Sequence, residues 1–516
     1  MSTTIIDFWK ANPSYWITIE AKKQQEADEK ICSEFLALNP YKQNLIGQVI
    51  FLDQFSRHFQ RAGKITEEDV LVNREEAVCL IQSNLSYLLK MDETELVFAL
   101  MPFKHLGLYK FIFQYLHTTW LPNNETTLLD NPLLHKFYMD TYKKAFTFDS
   151  VKENIHLVHP SSFTDSYNPQ NICSFYPDEY KEEGWNINHT SPTIEKLLKS
   201  LDSIKEEEKI VVSLSGGVDS MVMLALLSSS NAKVKVKKTP IAVHIVYGNR
   251  KESEDECQFL SEYCHKLNVP LLVYRIQWLK RGEVDRTFYE SMTRDIRFFV
   301  YRAIEYPVCL GHIQDDVVEN IWTNIANCKH LDNLKKIVKE EVQQGVCILR
   351  PFLEAEKKDI YQVSKELGIP YLKNTTPSWS NRGKFREEFH QSTLTQFGEK
   401  VDTKIIQFAE AIEKQNQMLL TLLYKPIFDS FKENYITITP AVQADLDSSG
   451  WLFIFETISH KHLGISKPSL KSVGNFCSRL KTLKEDQLYI DMTKQFSVKV
   501  MKQGKEVIIE IVKHHL

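Results

Sequence analysis

Lys209-Ile210-Val211-Val212-Ser213-Leu214-Ser215-Gly216-Gly217-Val218-Asp219-Ser220-Met221-Val222-Met223-Leu224-Ala225-Leu226-Leu227 runs from an apolar segment, through a Ser/Gly-rich turn, into a second apolar segment. The first part predicts a buried strand and the last a buried helix. A turn of this composition between strand and helix aims several backbone N–H groups at one point, and the positive end of the helix dipole adds to their pull, so an anion is held there readily. Glycines let the backbone approach the ligand with no Cβ in the way. Ser215, Gly216, Gly217, Val218, Asp219 and Ser220 are therefore candidate nucleotide-binding residues. Asp219, at the helix start, is placed to cap the helix or to help hold a Mg²⁺. The turn lacks the Gly-Lys-Ser/Thr of the Walker loop.

Around this turn, strands alternate with helices. Strands are predicted at 209–213, 240–246, 270–276, 307–311 and 346–350, and helices at 217–229, 252–267, 286–305, 315–326 and 356–367. Such alternation predicts an α/β fold with a doubly wound parallel sheet over 195–400. Ligands then bind at the carboxyl ends of the strands. Residues 1–150 read as an all-helical domain: Trp9, Trp16, Phe35, Leu45, Ile46, Ile50, Phe51, Phe55 and Phe59 recur at helical intervals, with breaks at Pro13, Pro40, Pro102 and Pro122. Residues 151–194, rich in Pro, Asn, Ser and Asp, read as a linker or extended connection. Over 401–516 an amphipathic stretch, two helical runs near 449–460 and 468–482, and alternating segments at 488–490, 496–500 and 507–511 predict a small α+β domain, with a hairpin turn at Gln503-Gly504-Lys505.

A second motif, His312-Ile313-Gln314-Asp315-Asp316-Val317-Val318-Glu319, follows the predicted strand at 307–311. At helical spacing, Asp315 or Asp316 shares a face with Glu319 near a helix start. Carboxylates there bind Mg²⁺ or grip an amine, and His312 is placed to contact a transferred phosphate or orient a leaving group. His244 and Arg250 close the second strand, Glu290, Arg294 and Arg297 lie on the third helix, and Arg350-Pro351-Phe352-Leu353 precedes the last. A basic segment with no acid carries Lys373, Arg382, Lys384 and Arg386.

The S-G-G-x-D-S turn resembles the pyrophosphate loop of the ATP pyrophosphatases, the PP-loop family. The ordered set of motifs resembles, within it, the tRNA(Ile)-lysidine synthetases: H-x-x-x-x-x-R, E-x-x-x-R, H-x-x-D-D-x-x-E, R-P-F-L and the basic segment at Arg382–Arg386. The likeness spans about 195–516 and is looser at the tail, where that family has a tRNA-contacting domain. This chain carries Tyr247 where the family usually has His, and Gly383 where it usually has Asn. The resemblance implies an ATP-dependent ligase with ATP and Mg²⁺ as cofactors. It adenylates the C2 oxygen of a tRNA wobble cytidine, and lysine, or another small nucleophile, then displaces AMP. It also implies catalytic roles for Asp219, His312, Asp315, Asp316, Glu319 and Arg294, nucleotide contacts by the Ser215–Ser220 turn and His244, and substrate or tRNA contacts by Arg250, Glu290, Arg382, Lys384 and Arg386. Residues 1–150 resemble a mostly bacterial helical family of TPR-like architecture and unknown function, through Asp7-Phe8-Trp9, Phe51–His58 and Met101–His105. There Asp53, Arg57 and His105 read either as lining a site or as a structural ion pair beside a helix-end histidine.

The length of 516 residues fits roughly two to four domains, and 43% hydrophobic content supplies real cores. No run of about 18 apolar residues predicts a membrane span, and the amino terminus lacks a signal-peptide pattern. Nine cysteines without a C-x-x-C pair argue against a disulfide framework or zinc site and suggest a reducing, cytoplasmic setting. Net charge is −4, yet residues 461–516 carry 11 Lys/Arg against 5 Asp/Glu, a balance suited to phosphates. Competing expectations are a PP-loop tRNA thiolase, which commonly uses paired cysteines; a small-molecule amidating synthetase, which needs a source of ammonia; and a non-catalytic nucleotide-binding adaptor.

Overall fold

Runs of Val, Ile and Leu punctuated by Gly, Pro and Asn fold as strands through the middle of the chain. The computed structural model describes residues 4–17, 21–164, 167–177, 191–204, 209–229, 239–326, 334–373, 381–439, 442, 446–481, 487–503 and 506–514. The chain divides into two compact units, Met1–Leu310 with Glu341–Leu349 and Val363–Lys373, and Gly311–Glu340 with Arg350–Gln362 and Asn374–Leu516. The segment 374–380, the turn at Gly504-Lys505 and the side chain of Arg382 lie outside the described residues.

In the first unit the strands are β1 (His156–Val158), β2 (Cys173–Phe175), β3 (Lys209–Ser213), β4 (Thr239–Val246), β5 (Leu271–Arg275), β6 (Val308–Cys309), β7 (Glu340–Gln343), β8 (Val346–Leu349) and β9 (Tyr371–Leu372). The main sheet has the order β1-β5-β4-β3-β6-β8-β7, and β2 pairs with β9. Parallel pairing joins β5, β4, β3, β6 and β8, with Val211 opposite Ile241 on one side and Val308 on the other. The five strands expected from sequence are this parallel core. The sheet as a whole is mixed, because β1 adds antiparallel to β5 (His156 opposite Val273) and β7 adds beyond β8 across a turn at Gln344-Gly345, both at positive φ. A three-residue strand offers no alternation to read, and β7 (Glu-Glu-Val-Gln) has the charged character of a protected edge. The extended connection over 151–194 thus contributes β1 and β2.

Helices from Ile5–Ala11 to Phe148–Lys152 fill the first 150 residues. Their core, including Trp9, Phe55, Phe98 and Tyr142, is continuous with Val211, Val243, Ile296 and Ile348 of the α/β part. The junction is specific. Tyr142 Oη donates to the Gln277 carbonyl at 3.0 Å, Tyr138 Oη donates to the Trp278 carbonyl, and the Arg302 guanidinium lies 5.2 Å from the Phe148 ring centre and 5.0 Å from that of Phe299. Trp278 itself sits at φ +61, a costly conformation for a bulky residue that turns these carbonyls toward the tyrosines.

The second unit ends in a four-stranded antiparallel sheet of order β10-β13-β12-β11: β10 (Tyr435–Ile438), β11 (Gln487–Asp491), β12 (Phe496–Gln503) and β13 (Glu506–Lys513). The helices Ser448–Glu456 and Leu470–Lys481 belong to the same core, through Trp451, Phe455, Phe476, Val498 and Ile509. Three of these strands follow from the alternating pattern. β10 does not, since it is four residues long and its partner, β13, is the last strand of the chain.

Candidate functional site

Chain order and spatial order part company at β3. The chain runs outward through β4 and β5, then returns to β6 on the other side of β3. Strand order reverses there, which is where doubly wound sheets bind ligands, outside the carboxyl ends of the strands. The loop leaving β3 at that point is Leu214–Ser220.

Two serines stitch the loop. Ser215 N donates to Ser220 Oγ at 3.2 Å, Gly217 N donates to Ser215 Oγ at 3.3 Å, and Ser220 Oγ donates to the Gly217 carbonyl at 3.0 Å. Gly216 is at φ +81 and its carbonyl accepts Leu372 N at 2.9 Å. A Cβ on Gly216 would lie 2.2 Å from Leu372 Cδ1, so only glycine fits between the loop and β9. The helix Val218–Ser228 begins at once, with Gly217 as N-cap and no side chain capping it. The N–H groups of that first turn, at Val218, Asp219 and Ser220, have no preceding-turn carbonyl to bond. This is the donor set a pyrophosphate needs. Asp219 stands half-buried in that turn.

His244 lies beneath the loop. Its Nδ1 hydrogen goes to the Leu214 carbonyl at 2.9 Å, and burial pushes its imidazole down to about 4. It supports the loop's entry residue in the neutral form. Ser213 Oγ lies 2.7 Å from Tyr301 Oη, which burial pushes up to about 12. Beside Tyr301, Arg297 hydrogen-bonds Tyr247. Arg250 pairs with Glu256 at 2.7 Å. Glu290 is exposed and pairs with Arg286 one turn back at 2.8 Å. Arg294 is exposed, its guanidinium 5.3 Å from the Phe298 ring centre. Glu290 and Arg294 lie one turn apart on the helix Arg286–Ile304.

In the second unit, the helix Gln314–Ala326 carries the carboxylates. Asp316 Oδ2 accepts Ile313 N at 2.9 Å, closing the helix start, while Oδ1 accepts Arg386 Nη2 at 2.7 Å. Arg386 Nε lies 3.4 Å from Glu319 Oε2. Asp316 and Glu319 therefore share one guanidinium. Arg386 comes from the π-helical segment Phe385–His390. Asp315 faces another group: burial pushes its carboxyl above the ordinary range, the nearby Asp402 and Asp316 push the same way, and His390 and Lys357 oppose them. His390 Nε2 meets Asp402 at 2.9 Å, a bond that raises its imidazole. His312 is oriented by Arg350, whose Nε donates to Nδ1 at 2.9 Å. A guanidinium can only donate, so His312 carries its own hydrogen on Nε2. Arg350 is 5% exposed and also donates to the Val338 carbonyl at 2.8 Å. Lys384 is exposed.

Sequence reasoning did not assign roles to Arg350 or Arg297. Arg350 was legible as part of Arg350-Pro351-Phe352-Leu353, and Arg297 as one of three charges on one helix. Their partners, from distant segments, were not.

The parallel core, its reversal at β3 and the tethered loop define a nucleotide-binding sheet, and residues 188–390 match the PP-loop domain family. A tRNA(Ile)-lysidine synthase from Chlamydia muridarum is 28% identical over 224 residues, 42% of this chain and 66% of the relative. One from Chlamydia pneumoniae is 25% identical over 229 residues, 42% of this chain and 69% of the relative. The match thus spans about two thirds of these relatives' length. Among solved structures, a U34-tRNA thiolase from Methanococcus maripaludis with its 4Fe-4S cluster is 19% identical, covering 43% of this chain and 78% of that one at a TM-score of 0.37.

Proposed function

We propose that the chain is an ATP-dependent, AMP-forming ligase that modifies a tRNA base in the manner of the lysidine synthases it resembles. The C2 oxygen of the wobble cytidine attacks the α-phosphorus of ATP, the bond to the β-phosphate breaks, and pyrophosphate leaves. The ε-amine of lysine then attacks C2, the C2–O bond breaks, AMP departs with the oxygen, and the amine gives up its proton.

The observation that carries this reading is the Ser215–Ser220 loop, tied to Leu372 through Gly216 and opening onto an uncapped helix start. Its N–H groups offset charge on pyrophosphate as it forms. His312, with its hydrogen on Nε2, is a donor suited to a phosphate oxygen. Asp316 and Glu319 are the acceptors for an ammonium and, once it is bound, for its proton. Arg386 already occupies the place between them, so an incoming ammonium shares or displaces it. Asp219 supplies a single carboxylate, which suits a Mg²⁺ held mostly by phosphate oxygens and water; when bound, that ion neutralises phosphate charge. Arg294 is the proposed contact to nucleotide or substrate, Glu290 a substrate contact, and Arg250, Arg382 and Lys384, with the basic residues after 460, the contacts to tRNA, whose backbone rewards Lys and Arg. No described helix is long and apolar enough to cross a membrane, and we place the reaction in the cytoplasm.

The test is AMP and pyrophosphate release from ATP with Mg²⁺, mixed tRNA and each amino acid in turn, with mass spectrometry of the recovered nucleosides and Asp219→Ala as control. Release that requires tRNA and lysine, with cytidine gaining lysine less water, is the expected result. AMP formation with tRNA alone points to another nucleophile, sulfur first. ATP binding without any turnover refutes the ligase and leaves a nucleotide-binding adaptor.

A further inference from the structure

Outside the α/β part, the helical region holds an arrangement that the proposed ligase does not use. Asp53, 0% exposed, lies on the π-helical segment Ile50–Phe55. Arg74 Nε donates to it at 2.8 Å, His105 Nδ1 meets it at 2.8 Å, and the Gln54 amide bonds it as well. Burial pushes the Asp53 carboxyl up, but the bonds from His105 and Arg74 outweigh it and hold the group ionised. Arg74 alone balances that charge, so His105 is not needed for neutrality. What the carboxylate does for His105 is fix its ring: the Nδ1 hydrogen points inward and Nε2 points out.

Arg57 meets His105 there, with Nη1 3.2 Å from Nε2. The Arg57 residue is exposed and makes no ion pair among the described residues. Its neighbours are spoken for: Arg61 grips Asp28 at 2.7 Å and Arg74 grips Asp53. Burial weighs most against the Arg57 charge, Asp53 favours it, and Arg61 and Arg74 push against it as like charges. The cluster therefore presents one surplus guanidinium and one pinned imidazole edge, side by side at the surface.

We propose that Arg57 and His105 form a binding site for a phosphate-class oxyanion, with Asp53 as the positioning residue that fixes the imidazole. A carboxylate ligand would be satisfied by the Arg57 fork alone. A phosphate carries the charge and the oxygens to use both groups. It is bound with uptake of one proton at His105 Nε2, so that Nδ1–H stays on Asp53 while Nε2–H and the guanidinium face the ligand; no bond to phosphorus changes. The charged groups that face His105 are Asp53, Arg57 and Arg74, with Arg61 behind Arg57. The site is independent of the Ser215–Ser220 loop.

The experiment is NMR of the full chain isotope-labelled at histidine Cε1, with the His105 signal assigned by its loss in His105→Gln. Adding inorganic phosphate is expected to move that signal in a saturable way, the effect of a ligand seated at Nε2. Asp219→Ala, which alters only the other phosphate site, should keep the response, and Arg57→Gln, an exposed change that leaves thermal unfolding alone, should abolish it. A response at roughly tenfold lower concentration of a short oligoribonucleotide supports the site and identifies RNA backbone as the source; a response to inorganic phosphate alone supports it with a small phosphate as ligand. A His105 signal that phosphate leaves unmoved, or moves equally in Arg57→Gln, overturns the proposal and leaves a structural ion cluster.

Discussion

Gly216→Ala tests the loop geometry directly. The new methyl must lie 2.2 Å from Leu372 Cδ1 and 2.9 Å from Cγ, on a backbone held at φ +81. The left-handed conformation costs an L-residue about 1–2 kcal/mol, and forcing a methyl into a packed contact costs about 1–3 kcal/mol. Together the loss should be about 2–5 kcal/mol. The two parts separate in a double-mutant cycle. Leu372→Ala empties the space the methyl needs, so in that background Gly216→Ala should cost only the conformational part, about 1–2 kcal/mol, with a coupling of about 1–3 kcal/mol. Urea unfolding of the full chain reads the loss. Because the chain has two compact units, a single transition is not assumed; the relevant one is that which Mg-ATP shifts, since a ligand stabilises the unit that binds it. A loss under about 0.5 kcal/mol, or an equal loss with and without Leu372, would refute the claim that the loop is clamped against β9 through a residue that must be glycine.

Asp316→Asn and Glu319→Gln should leave tRNA-dependent pyrophosphate exchange in place while slowing transfer of the amine about 10²-fold or more; equal damage to both steps would place these carboxylates elsewhere in the reaction. Arg350→Met should lower adenylation, because His312 loses the bond that fixes its tautomer, and should also cost about 1.5–3 kcal/mol through the lost charge-assisted bond to the Val338 carbonyl; full activity in a folded Arg350→Met protein argues against a phosphate role for His312. Acid should weaken the first unit. His58 and His244 are both pushed down to about 4, so between that pH and the ordinary histidine range the unfolded chain binds protons that the folded one does not. Their stabilising contribution is present above about pH 6.5 and is lost as pH falls toward 4, on the order of 3 kcal/mol for each. His244→Gln should flatten that part of the pH–stability curve, and an unchanged slope would show that His244 is not the titrating group.

The amino-acid sequence by itself determined the alternation of strands and helices over 209–367, the position of the Ser/Gly turn between strand and helix, and the helical character of residues 1–150. Each of these rests on local pattern: apolar runs of strand length, helical periodicity, and a Ser/Gly turn between them. Sequence could not separate Asp315 from Asp316 as the residue that shares a partner with Glu319, because neighbouring residues near a helix start differ in direction rather than in spacing. In the folded chain Arg386 reaches Asp316 and Glu319 together, while Asp315 turns toward His390 and Asp402. The same holds for Gly216, whose need for glycine comes from Leu372, and for His312, whose tautomer is set by Arg350. It holds again for Asp53, Arg57 and His105, which two segments of sequence carry and one hydrogen-bonded cluster joins. Local periodicity is written in a chain of one dimension. Partnership between side chains distant in that chain depends on loop closure and packing, and only the folded molecule supplies it.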